Sequence, residues 1–201
     1  WNFKTSSLIL SSMSTNQNCN IIRIRTPVNP IPVNIRLFHA KFIERTLLMP
    51  KMTVYHGGYM PVKEPEIRIG RNTKDFGPGF YCTVIREQAI RWARRYDTKI
   101  VSVYDVRLNT KLNIKEFSTM TEEWLDFIVA CRNGQPHSYD IVIGAMADDQ
   151  IYSYISDFID GSITREQFWV LAKFKYPTHQ INFCTEDALK CLEYRDYEVI
   201  Q

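Results

Sequence analysis

Four β-type runs and five helical patterns alternate irregularly along residues 52–201, and this arrangement limits the fold more than any other feature. "MTVYHGG" from Met52, "KIVSVYDV" (Lys99–Val106), "YDIVIGA" (Tyr139–Ala145) and "THQINFCT" (Thr178–Thr185) carry the β-branched and aromatic enrichment of strands. Helical spacing falls at Glu87–Tyr96 with Thr83 as its cap, at Thr121–Cys131 and at Gln150–Ile159. It falls again at Thr164–Phe174, where Thr164 precedes Glu166 and Gln167 as a cap should, and at Thr185–Leu192. No period recurs, so repeat architectures are excluded. The spacing predicts α+β with antiparallel strands, not a doubly wound parallel sheet.

At 201 residues and 45% hydrophobic content the chain can bury a real core. No apolar run approaches the roughly 20 residues of a membrane span, so no membrane association is expected. Five cysteines without a C-x-x-C pair argue against a disulfide framework or a zinc site, and imply a reducing cytoplasm.

Residues 1–51 have a different texture. They hold seven Lys and Arg against Glu44 alone, while the body from Met52 holds more acids than bases. The basic balance belongs to this leader, and the body gives no footprint for nucleic acid. "TPVNPIPVN" (Pro27, Pro30 and Pro32) prevents regular structure. An Arg-rich, acid-poor leader can be a transit peptide. A disordered tail, or upstream sequence ahead of a start at Met49 or Met52, suits it better. The domain reading is a leader over 1–51 and one folded domain over 52–201.

Chemistry gathers at a few places in the body. His56 ends the "VYHGG" strand, where a lone histidine is ordinarily structural, but two glycines follow it. Gly57 lacks a side chain, so its N–H and C=O can face a ligand such as a carboxamide. In "DFGPGFYCT" (Asp75–Thr83), Gly77 and Gly79 around Pro78 favour a turn. Phe80 and Tyr81 then point to opposite faces of a strand, one to a core and one to a cleft. A tyrosine over a glycine-edged cleft is a stacking platform. In "REQAIRWARRY", Ala89 and Ala93 are spaced for close helix packing. Ile90 and Trp92 join that face, and Arg91, Arg94 and Arg95 form a solvated face from which one could meet a phosphate. In "HQINF", Gln180 facing solvent is a bland strand residue; facing the cleft of His56 and Tyr81, it could bond a ribose hydroxyl. Asp148 and Asp149 lack further ligand spacing and read as a helix N-terminus, so no metal is expected.

The order His-Gly, Gly-x-Gly-x-Tyr, small-residue helix and late polar strand resembles the poly-ADP-ribose-polymerase-like branch of the ADP-ribosyltransferase superfamily. More closely, "VYHGG", "DFGPGFYCT", "AIRWA", "YDIVIGAMAD" and "QINFCTEDAL" resemble, in order, the motifs of the bacterial family catalogued as domain of unknown function 3990. The resemblance covers about residues 52–195. It implies a split, mixed or antiparallel sheet core with flanking helices, and NAD as substrate. By resemblance, His56 would hold the nicotinamide-ribose 2′-OH and Gly57 the carboxamide. Tyr81 would stack on the nicotinamide, with Gly77, Gly79 and Trp92 completing the NAD site. His56, Tyr81 and Gln180 would be the catalytic set. Enzymes of this class usually carry a glutamate on the late strand. Here Gln180 stands in its place, and the nearest glutamate is Glu186. The resemblance therefore implies mono-ADP-ribosyl transfer to an unidentified acceptor, as a toxin held by a small antitoxin protein, or else an inactive NAD- or ADP-ribose-binding module.

Overall fold

The computed structural model describes residues 51–69, 74–109, 111–173 and 177–201. Of the expected leader only Lys51 lies among them. Seven strands and five helices are described: β1 (Met52–Gly58), β2 (Phe80–Cys82), α1 (Arg86–Ala93), β3 (Ile100–Val106), β4 (Ile114–Glu116), α2 (Glu122–Arg132), β5 (Ile141–Gly144), α3 (Asp149–Ile159), α4 (Arg165–Leu171), β6 (Gln180–Phe183), α5 (Glu186–Leu189) and β7 (Leu192–Val199). The strands form two sheets, β1-β3-β7 and β2-β6-β5-β4. The first is antiparallel throughout, and the second is antiparallel except for the β4–β5 pair. The fold is α+β, as the spacing predicts.

The two sheets touch at their β1 and β2 edges through one residue pair. Tyr55 and Thr83 exchange both backbone bonds, at 2.8 and 2.9 Å. Beyond that pair β1 and β2 diverge, and the wedge between them is the cleft described below.

Alternation along the short strands divides two cores. Ile181 and Phe183 of β6 enter the first, with Val54, Phe80, Tyr104 and Ile143. Phe80 and Tyr81 do point to opposite faces: Phe80 joins that first core, and Tyr81 packs against the second, around Phe76, Trp124 and Ile151. Gln180 and Asn182 also alternate against Ile181 and Phe183, yet neither meets bulk solvent, because all four residues of β6 are buried.

Helix signals were legible where caps are strong. Thr121, Asp148 and Thr164 each accept a backbone N–H as N-caps of α2, α3 and α4, and Thr164 with Gln167 forms a full capping box. Thr83 is not the cap of α1. Its hydroxyl accepts from the Ile85 N–H at 3.1 Å, Ile85 stands at the N-cap, and the helix ends at Ala93. The helix expected over Thr185–Leu192 is only the four residues of α5, after which the chain becomes β7. In "LEYRDYEV" the outward charges of an edge strand mask its period. The pattern expected to reach Phe174 is helical to Leu171; Phe174 lies outside the described residues.

α1 lies close against β1. A Cβ on Gly57 would stand 2.2 Å from the Ala89 carbonyl oxygen, and Ala89 and Ala93 are buried there. From the same helix Gln88 reaches His179, the residue before β6. Its amide nitrogen donates to the His179 carbonyl at 2.6 Å, and its oxygen accepts the His179 N–H at 2.9 Å. The side chain thus imitates a neighbouring strand. Both bonds are buried, so Gln88→Ala should destabilise the fold by about 2 to 3 kcal/mol in denaturant unfolding; an unchanged midpoint would contradict this tie.

Candidate functional site

The wedge between the sheets opens into a cavity of about 620 Å³. His56, Gly57, Gly79, Tyr81, Trp92 and Gln180 all line it, so the structure brings together every residue of the expected catalytic and NAD-binding set except Gly77. Gly77 has a φ of 74°, and its carbonyl accepts the Tyr81 hydroxyl at 2.7 Å. Its place is in building the turn that aims Tyr81.

His56 is fixed by the divergence of the strands. With Tyr55 opposite Thr83, a continued ladder would set Gly57 opposite Tyr81. Instead the Tyr81 carbonyl is taken by His56 Nδ1 at 2.7 Å. A carbonyl only accepts, so Nδ1 carries the hydrogen, and Nε2 keeps a lone pair with no protein partner among the described residues. The ring stacks on Phe80 with centroids 4.5 Å apart. Burial, together with the nearby positive charges of Arg68 and Lys74, lowers its pKa despite the opposing pull of the Tyr81 carbonyl. The ring is held neutral as an acceptor. The unfolded chain therefore binds a proton first, and this site contributes less stability as pH falls below about 6.5. An NMR titration of the ring should show a midpoint below that ordinary value; one above it would contradict the geometry.

Gly57 offers the complementary pair. Backbone groups alternate in direction along a strand, and those of Tyr55 point toward Thr83. Two residues on, the N–H and C=O of Gly57 point the same way, where the strands have already parted. Gly57 is glycine for a second reason the sequence did not disclose, the close approach of α1.

Tyr81 is pinned at its hydroxyl, which donates to the Gly77 carbonyl and accepts the Phe76 N–H at 3.1 Å. Burial and the Asp75 charge raise its pKa well above the ordinary value, so it stays neutral. The Lys74 ammonium stands 4.9 Å from the ring centroid.

Gln180 has both amide hydrogens engaged. Nε2 donates to Asp75 Oδ2 at 3.0 Å and to the Ala145 carbonyl at 3.2 Å, which leaves only Oε1 to serve a ligand. Asp75 opens the "DFGPGFYCT" loop, and nothing local in the sequence marks it for this role. Its carboxylate also accepts the Ala147 N–H at 2.9 Å and pairs with buried Arg132 at 2.6 Å. Asn182 clamps the same loop, donating to the Phe76 carbonyl at 2.8 Å and the Pro78 carbonyl at 3.1 Å. Glu186 is exposed on α5, away from the lining.

The mouth is aromatic and basic. Tyr59, Trp92 and Tyr96 are exposed on it, Tyr59 and Tyr96 as a tilted pair 5.6 Å apart. The Arg95 guanidinium lies 4.3 Å over Trp92 and pairs with Asp149 at 2.7 Å. Arg68 and Lys74 line the cavity without an acidic partner among the described residues. The arrangement suits a flat polar ring held by Gly57 and Tyr81, a hydroxyl on His56, and anionic groups near the cations.

The motifs that assemble this wedge are those of one family. The chain belongs to the family described as "Protein of unknown function (DUF3990)". That family matches residues 52–194, from the first residue of β1 into β7 and so across every wall of the cavity. No curated protein matches the chain. Among the described residues of this family member, no three His, Cys, Asp or Glu side chains cluster to hold a metal ion. No described helix is long and apolar enough to cross a membrane.

Proposed function

We propose that the protein is an NAD-dependent mono-ADP-ribosyltransferase of the ADP-ribosyltransferase superfamily. One observation carries the reading: the neutral Nε2 of His56, the backbone pair of Gly57 and the pinned ring of Tyr81 converge on one cavity between two diverging sheets. In this reading the nicotinamide lies on Tyr81 with its carboxamide on Gly57. The ribose 2′-OH donates to His56 Nε2. The pyrophosphate meets Arg68, Lys74 or Arg95, and the adenine lies toward Trp92.

The bond between ribose C1′ and the nicotinamide nitrogen breaks, and its electron pair leaves with nicotinamide, which becomes neutral. The acceptor's nucleophile bonds C1′ and gives up its proton. The protein holds the developing oxocarbenium in place and polarises the 2′-OH. Without a carboxylate on β6 this supports single transfers and not chain building.

The test is incubation of the folded protein with labelled NAD and a cell lysate. Nicotinamide release and labelled acceptor are expected. Binding without either, with the fold intact, would favour the second reading, an NAD- or ADP-ribose-binding module. That reading is supported by Gln180, a neutral amide whose hydrogens are already committed. A toxin role with a small antitoxin partner predicts growth arrest on unrestrained expression; normal growth with NAD cleavage intact would remove it.

Variants at the ring separate its two contributions. Tyr81→Phe keeps the platform but loses the hydroxyl pin, so turnover should fall roughly tenfold or less. Tyr81→Ala removes the platform and should cost on the order of 100-fold. Equal losses in kcat/KM would show that the ring itself contributes nothing.

A further inference from the structure

The ring face that Tyr81 offers the cavity is already covered by a cation. Lys74 Nζ stands 4.9 Å from the Tyr81 centroid, and both residues line the cavity. Tyr81 packs against the second core, so the Lys74 side is the one a ligand would use. The ammonium has no carboxylate partner among the described residues, and Arg68 lines the same wall. Burial and Arg68 both lower the pKa of Lys74, so its charge is poorly compensated where it stands. A flexible cation resting on a π-face will leave when a better anion becomes available.

We infer that Lys74 is a tethered plug, a specificity-determining residue that yields the Tyr81 face to a cationic pyridinium and reclaims it from a neutral one. This rests on the NAD reading above. In NAD the nicotinamide ring is positively charged, so when it displaces Lys74 the cation–π contact is exchanged rather than lost. The same molecule brings a pyrophosphate that the freed ammonium can meet. Free nicotinamide is neutral and carries no phosphate. It must displace Lys74 with no compensation, so the site favours substrate over its own product. The neutral, reduced dinucleotide shares the first penalty but not the second.

The experiment compares Lys74→Met, which keeps the length without the charge, with Lys74→Arg, which keeps the charge. Calorimetry with free nicotinamide and with NAD is run on each folded variant. Lys74→Met should bind nicotinamide roughly threefold to tenfold more tightly than the wild-type protein, by the usual worth of one cation–π contact. It should bind NAD no better, and weaker where the phosphate contact is lost. Lys74→Arg should leave both close to wild type. A merely structural role would move both ligands in the same direction. Unchanged or weakened nicotinamide binding in Lys74→Met, while wild type binds NAD, overturns the plug alone. If neither ligand binds wild type or any variant, the NAD reading falls and the plug falls with it.

Discussion

Gln180→Glu should destabilise the protein by about 3 to 5 kcal/mol near neutral pH and should not raise transfer activity. The substitution looks like a restoration, because it supplies the carboxylate that enzymes with this motif order usually carry. The surroundings of Gln180 say otherwise. Its amide nitrogen donates to Asp75 Oδ2 and to the Ala145 carbonyl, at 3.0 and 3.2 Å. Both partners are acceptors. An ionised glutamate would face a carboxylate and a carbonyl in a residue only 5% exposed. It would rather keep its proton, so its folded-state pKa should lie above the unfolded value of about 4.3. The unfolded chain then releases the proton first, and the variant loses stability as pH rises from about 4.3 toward the raised folded value. Thermal unfolding from pH 4 to pH 8 should show the gap to wild type widening upward. A variant as stable as wild type at pH 7.5, with faster nicotinamide release, would mean that Gln180 does not hold Asp75.

Gly57→Ala should cost about 3 kcal/mol, at the upper end for a single added methyl group. The new Cβ would lie 2.2 Å from the Ala89 carbonyl oxygen and 3.0 Å from the Ala93 backbone nitrogen. These are backbone atoms of α1 and cannot rotate aside, so the helix must lift from β1. Lifting it also strains the Gln88 tie to His179. For a domain of this size the melting temperature should fall by roughly 6 to 12 °C. The variant also separates the two reasons for glycine here. If stability falls while NAD affinity, measured well below the transition, stays within about threefold, then Gly57 serves only the helix. If both fall, it serves the helix and the ligand.

Much of the site was legible because its parts are short-range. His-Gly at a strand end, a glycine-bracketed turn into alternating aromatics, and a helix with small residues four apart each follow from local rules. Alternation alone put Phe80 and Tyr81 on opposite faces. What could not be read was long-range. In the sequence Gln180 reads as a solvent-facing residue or a ligand contact, and its bond to Asp75, 105 positions earlier, is a product of the fold. The same holds for Gln88 and His179, 91 positions apart. The second reason for Gly57 lies in a helix that only packing brings near. Nothing local in the sequence marks Lys74 or Arg68, and only the cavity gives them a common wall. The elements that the sequence does not disclose are β4, β7 and the start of α1. In β7, exposed charges hide a strand that is partnered on one side only. At α1 the Thr83 hydroxyl serves the residue before the helix instead of the helix itself.

The order β1-β3-β7 also sets a schedule for folding. β3 is buried along its whole length, and its outer edge is closed only when Val106 meets Leu192 and Ile100 meets Val199. During synthesis that edge must wait through α2, α3, α4, α5 and the three strands β4, β5 and β6 of the other sheet. Until then it is the open edge of an apolar strand, an adhesive intermediate for a growing chain to present. Closing so large a loop is slow, and a chain cut before residue 192 should accumulate as aggregate rather than as a soluble fragment.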